Sequence, residues 1–130
     1  MSKLWSEAQT FIERTDIRMR MRFQEGQRRA TIAQVEATVS ALQSYQMSNG
    51  TYPTTDQGLK ALFEKPAMPP VPEGWRGPYI NKKKIPKDAW DHELHYISPG
   101  VQNPDSYDLF SLGKDNAEGG TGIDEDIGNW

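Results

Sequence analysis

The sequence predicts an α+β domain: a long N-terminal α-helix packed on a small antiparallel sheet of about three strands, with a loop-like C-terminal end. Three observations predict it. An apolar stripe recurs at helical spacing in the first third of the chain. Short aromatic and branched runs, separated by turn residues, fill the last third. The segment between them is too rich in proline for regular structure. At 130 residues the chain is one domain with a modest core. A hydrophobic share of 35% and a mean hydropathy of -0.79 describe a polar-rich chain. No run approaches the ~20 apolar residues of a membrane span, and no signal-peptide pattern opens it.

The long helix comes first. Residues 1–48 contain no proline and a single glycine, Gly26. Ile32, Val35, Val39, Leu42 and Tyr45 recur at steps of three and four, one stripe wide enough to cover a sheet. Asn49-Gly50 stops the helix, because both residues tolerate the left-handed backbone of a helix C-terminus. Upstream, Leu4, Ala8, Phe11 and Ile12 extend the helical reading over 1–25. "IRMRMRF" alternates with period two there and fits a strand or an all-round amphiphile equally. A helix starting so far upstream of its sheet projects as a stalk.

After Gly50, Thr54-x-x-Gln57 is a capping-box pattern opening a short helix through Phe63. "KPAMPPVPEGWRGPY" then holds five prolines. Strands are expected at 78–80 ("PYI"), 94–98 ("LHYIS") and 107–112 ("YDLFSL"), the last two separated by the turn-type segment "PGVQNPDS".

Charge and side-chain chemistry exclude several functions. The net charge of -3 hides an asymmetry. Residues 1–29 carry seven Lys/Arg against four Asp/Glu, and the remainder carries the acidic excess. No folded basic face for nucleic acid is indicated. The absence of cysteine removes disulfide and thiolate chemistry, so any cross-link must come from another source, such as a metal. "HELH" places His92 and His95 three apart around Glu93 at the start of a strand. The zinc-protease pattern needs four apart on a helix, so these residues read as turn and strand filler. The lysines of "NKKKIPK" form a solvated loop or a contact for an acidic partner. No nucleophilic triad or phosphate loop is present, nothing singles out a carboxylate pair, and no catalytic residue is assigned.

The ending "SLGKDNAEGGTGIDEDIGNW" carries the one constellation with specific chemistry. Asp124-x-Asp126 sets two hard oxygen ligands two residues apart, with Asp115 nine residues upstream of the first. Gly113, Gly119, Gly120 and Gly122 let backbone carbonyls converge. Calcium takes six to eight oxygens from such mixtures, although the spacing is not that of an EF-hand. A disordered acidic tail is the alternative. Against it, Ile127 and Trp130 are wasted in solvent but useful as plugs that pin the loop to the core.

"YPTTDQGLKAL" after a long helix, then "GPYI", "IPKDAWDHELHYISPG", "YDLFSLGKD" and the closing "DEDIGNW", resemble the major pseudopilins of type II secretion systems, from about Ala30 to Trp130. The resemblance implies a helical stalk whose C-terminal half lies on the sheet, and a C-terminal loop folded round Ca²⁺. It also implies a ligand set: Asp115, Asp124 and Asp126, with carbonyls from Leu112 and the Thr121–Gly122 turn. Glu125 is an alternative to Asp124.

The implied role is a structural subunit of a periplasmic pseudopilus, with no enzymatic activity. Its partners are copies of itself in a helical filament, minor pseudopilins and an inner-membrane secretion platform. A soluble calcium-dependent extracellular binding module is the other reading. The family opens on a cleaved leader and an apolar helix, whereas residues 1–26 here are arginine-rich. They are expected to stand in place of that membrane and filament-core helix, with 27–130 as the globular domain. On that reading the parent belongs to the inner membrane and periplasm of a Gram-negative bacterium. This chain is then expected to be soluble and monomeric, or weakly associating at micromolar concentration.

Overall fold

A computed structural model describes residues 3–130. Helix α1, Lys3–Asn49, runs unbroken for 47 residues, about 70 Å at 1.5 Å per residue. The arginines and methionines of "IRMRMRF" are good helix formers and nothing nearby breaks the helix, so the alternating stretch is helical. Gly50, at φ 80°, donates its N–H to the Gln46 carbonyl, and Asn49 Nδ2 donates to the Tyr45 carbonyl. That pair ends the helix as its residue types demand. No described helix is long and apolar enough to cross a membrane.

The two ends of α1 lie in different surroundings. Residues 4–23 are exposed throughout, including Trp5, Phe11, Ile12 and Phe23. From Thr31 onward one face is buried: Thr31, Val35, Thr38, Leu42 and Tyr45. The stripe therefore sits slightly rotated from the one expected. Val39, expected to be buried against the strands, is only partly buried on the shoulder together with Ile32. Two threonines take the centre. Their hydroxyls donate back to the helix carbonyls of Gln27 and Gln34, at 2.9 and 2.8 Å. With that hydrogen bond satisfied, a threonine can be buried on a helix face without an unpaired donor.

The capping box forms as a reciprocal pair, Thr54 N–H to Gln57 Oε1 and Gln57 N–H to Thr54 Oγ1. It closes a turn rather than an α-helix, because Gly58 takes φ 63° directly after it. The chain resumes as a 3-10 turn, Leu59–Leu62, burying Leu59, Ala61 and Leu62. Gln57 Nε2 also donates to the carbonyls of Met68 and Pro70, fixing the proline-rich segment that lacks donors of its own.

The sheet has three antiparallel strands in the order β1 (His95–Ile97), β2 (Asp108–Ser111), β3 (Ile127–Gly128). His95 faces Phe110 across the first pair, and Phe110 faces Gly128 across the second. Residues 78–80 are not a strand. They pack beside the 3-10 turn, with Tyr79 N–H bonded to the Leu62 carbonyl. The third strand comes from the tail, where Asn129 reinforces it. Its backbone N–H donates to the Leu109 carbonyl, and its side chain accepts from Leu109 N–H and donates to the Tyr107 carbonyl.

Two buried aspartates organise the loops. Asp88 accepts from Trp90 N–H, His92 N–H and the Ser111 hydroxyl, while Ala89 N–H beside it donates to Thr31 on α1. Asp108 accepts from the backbone N–H groups of Val101, Gln102 and Asn103 and from the Asn103 side chain. Burial pushes the Asp108 carboxyl up, but those donors outweigh it and hold its pKa below the ordinary 3.8.

Two expectations follow from this packing. Leu42 is fully buried, so Leu42→Ala should cost about 2–5 kcal/mol in denaturant unfolding; a loss below about half a kilocalorie would mean that the helix is not seated on the sheet. A lowered pKa on Asp108 stabilises the fold above the unfolded value and is lost as pH falls through the folded one. Thermal melts should therefore show a stability loss between pH 4 and more acidic values that is smaller in Asp108→Asn. At pH 7 that variant should be less stable by roughly 1–3 kcal/mol, since three backbone donors lose their charged acceptor.

Candidate functional site

The loop between β2 and β3 holds the residues that the sequence singles out. Antiparallel neighbours can be joined by two residues, yet here the connection runs from residue 112 to 126. Gly113 (φ 76°) starts it with its backbone against that of Asp124; a Cβ there would lie 2.6 Å from the Asp124 carbonyl carbon. Lys114 N–H then donates to the Ile123 carbonyl at 2.8 Å, closing the lobe at its neck. Across the lobe, a Cβ on Gly120 (φ 91°) would lie 2.6 Å from the Asp124 carbonyl oxygen. At both positions only glycine fits, in backbone angle and in space. A 3-10 turn, Gly122–Asp124, completes the lobe.

The expected ligands divide between the two limbs. Leu112 and Asp115 lie on the outgoing limb, Thr121 and Gly122 at the turn, and Asp124 and Asp126 on the return. Asp115 Oδ1 accepts from Ala117 N–H at 3.2 Å, and Asp126 Oδ2 accepts from Gly119 N–H at 3.2 Å. The other Asp126 oxygen, Oδ1, is buried and has no hydrogen-bond partner. Among the described residues no three His, Cys, Asp or Glu side chains gather into a metal-holding group. What converges here is backbone and Asp126, rather than three carboxylates. Glu125 points elsewhere: its carboxylate pairs with Arg28 of α1 at 3.4 Å. Nothing in the sequence pattern singles out that cross-element pair.

The tail beyond the loop departs from expectation in one respect. Ile127 is buried as a plug, but Trp130 is 54% exposed. Its ring covers Gly128, where a Cβ would clash, and rests on Phe110 with centroids 5.6 Å apart. Phe110 in turn stacks on His95. Trp130 thus caps the outer face of the sheet. His92 lies beside Asp88 (Nδ1 to Oδ2, 3.6 Å), and His95 Nε2 contacts Asn116 Oδ1 at 3.2 Å. The two histidines serve different contacts, as the filler reading expects.

Residues 18–130 match the sequence profile described as "Type II secretion system (T2SS), protein G". The type II secretion system core protein G of Pseudomonas aeruginosa is 43% identical over 107 residues, 80% of this chain and 72% of that protein. The Vibrio cholerae core protein G is 46% identical over 100 residues, 76% of this chain and 65% of that one. A crystal structure of the major pseudopilin from the type 2 secretion system of enterohaemorrhagic Escherichia coli superposes with a TM-score of 0.68 at 34% identity. It covers 82% of this chain and 88% of that one. With this architecture, and a family match over residues 18–130, the chain belongs to the type II secretion system protein G family, the major pseudopilins.

Proposed function

We propose that the chain is a structural subunit of the pseudopilus that drives protein export through the type II secretion machinery, and not an enzyme. The family match over residues 18–130, which takes in the whole globular part, carries this reading. In the assembled machinery, copies pack into a helical filament, minor pseudopilins join it, and an inner-membrane platform anchors it in the cell envelope. The division of α1 is consistent with such a role. The head packs on the helix from Thr31 onward and reaches back to it at Arg28, while residues 4–23 stay exposed for other contacts.

A chimera tests the assignment. The head, residues 31–130, is joined to the N-terminal part of the Vibrio cholerae core protein G and expressed in a strain lacking that protein. Secretion should return to at least about a tenth of the wild-type level. A chimera that accumulates normally and restores no export would overturn the assignment.

The head is further proposed to bind Ca²⁺ in the loop from Leu112 to Asp126. The buried, partnerless Asp126 Oδ1 and the glycine-lined cradle around the Asp124 backbone support it. Asp115, Asp124 and Asp126 would hold the ion with the Leu112 carbonyl and carbonyls of the Thr121–Gly122 turn. Binding would draw the Asp115 and Asp124 carboxylates in toward Asp126, since the three do not gather in this structure. Glu125 is left out because Arg28 already holds it.

EDTA should lower the melting temperature and millimolar calcium restore it, with magnesium a poor substitute. Free calcium at a hundred times its dissociation constant adds about 2.7 kcal/mol. Asp126→Ala should abolish the calcium response with helix content nearly intact, Asp124→Ala should weaken or abolish it, and Glu125→Ala should leave it. Calorimetry showing no binding at millimolar calcium would sink the metal site.

A further inference from the structure

The head carries opposite charges on opposite flanks of α1. At about 100° per residue, Gln34 and Ala37 lie on one shoulder of the buried stripe, and Ile32, Glu36 and Val39 on the other. Beside the first shoulder opens a shallow groove of about 600 Å³. It is lined by Gln34 and Ala37, by the half-buried Tyr79, Ile80 and Ile85, and by Lys82 and Lys84. Lys83 stands exposed between the two lysines, and among the described residues none of the three makes an ion pair. Lys87 at the groove's end is held by Asp91.

Beside the other shoulder lie β3 and Trp130, which line a recess with Ile32, Glu36 and Val39. The acidic loop hangs from the same side, tied to α1 through Arg28 and Glu125. Residues 115–120 are exposed at its apex. Asp115, Glu118, Asp124 and Asp126 make no ion pair among the described residues.

Unpaired lysines on one flank and unpaired carboxylates on the other cannot meet within one molecule, because α1 and the sheet stand between them. They can meet between two. A contact that joins different patches is heterologous and does not pair off as a two-fold dimer does, so it propagates from copy to copy, into an open array unless the rotation closes a ring. We propose that the lysine groove of one copy receives the acidic loop of the next, a head-to-tail contact between heads. The proposal rests on the filament reading and adds to it the surfaces that meet. The groove supplies an apolar floor and a cationic rim. The loop supplies a narrow, anionic apex whose central residues, Ala117 and Glu118, are small or flexible enough to enter it. Complementary charge of this kind sets register and partner more than affinity, which suits a contact repeated in a filament.

The cysteine-free chain allows a direct test. Asn81→Cys places a thiol at the groove while keeping every lysine, and Ala117→Cys places one at the loop apex while keeping every acid. Under mild oxidation at low salt, the mixed pair should cross-link roughly tenfold faster than either variant alone, as charge-steered encounters do. That advantage should vanish at about 0.5 M salt. A chain carrying both substitutions should give a ladder beyond the dimer.

Lys82→Glu with Lys84→Glu on the groove partner should abolish the advantage, and Glu118→Lys on the loop partner should restore part of it. In the unsubstituted chain, zero-length carbodiimide coupling should join Lys82, Lys83 or Lys84 to Asp115 or Glu118 between molecules, read by mass spectrometry. That measurement holds even where a cysteine disturbs the loop.

Equal rates for all pairings, insensitivity to salt, or no such coupled peptides would overturn the contact. If export is restored by the chimera while these cross-links fail, the subunit role stands and the contact is wrong. Cross-links without restored export would show the reverse.

Discussion

The seating of the Thr31–Tyr45 face of α1 on the sheet is the contact on which the head depends. Strands of three, four and two residues make too small a sheet to persist alone. Without a long ladder, side chains supply hydrogen bonds that backbones would otherwise make. Asp88 joins its own loop to Ser111 at the end of β2, and its neighbour Ala89 reaches Thr31 on the helix. Asp108 gathers the turn between β1 and β2. Asn129 prolongs β3 with its own amide. Each bond attaches a loop to an element that already touches α1 or its neighbours, so loss of the helix face would loosen all of them together.

How much of this could be read from the residues depended on whether a signal was local. The helix, its Asn49-Gly50 stop, the Thr54–Gln57 box and the two aromatic strands each announce themselves within a few residues, and each is present. The failures are non-local. Thr31 and Thr38 look polar in a hydrophobicity pattern; only their bonds to Gln27 and Gln34 make them buriable, and that is a property of the formed helix. "PYI" has the composition of a strand but meets the Leu62 carbonyl instead of a sheet edge. "DIGNW" is a weak strand by composition, yet β2 offers it an open edge and Asn129 the extra bonds to take it. The aspartate spacing at 115, 124 and 126 points to this loop, but the fold does not gather the three carboxylates, and the spacing says nothing of how the backbone closes. That is decided by where Gly113 and Gly120 allow the backbone to close.

Long connections without regular structure between adjacent strands are uncommon in compact domains and usually serve a function. Here the connection from 112 to 126 is also held at both ends: by the Lys114–Ile123 bond at the neck, and by Ile127 in the core just beyond. A loop anchored this way can carry unpaired carboxylates without unravelling the strands that bear it. In a chain without cysteine, no disulfide is available to close such a loop, so the closing contacts must be hydrogen bonds, glycine-permitted backbone contact and the Arg28–Glu125 pair.

The same charges then answer to two demands. Residues 114–126 hold five carboxylates and one lysine, a net charge of -4, so a single divalent cation would leave the loop at -2. It would remain complementary to the lysine flank while the mutual repulsion of its carboxylates fell. Ordering the loop and presenting it to a neighbour are therefore not opposed. Glu118 stands exposed at the apex, next to Gly119, whose N–H is held by Asp126. Glu125, though exposed, is paired with Arg28. Of the loop's acids, Asp126 is bonded across the lobe and Glu125 to the helix, which leaves Glu118 at the apex as the one most open to a neighbour.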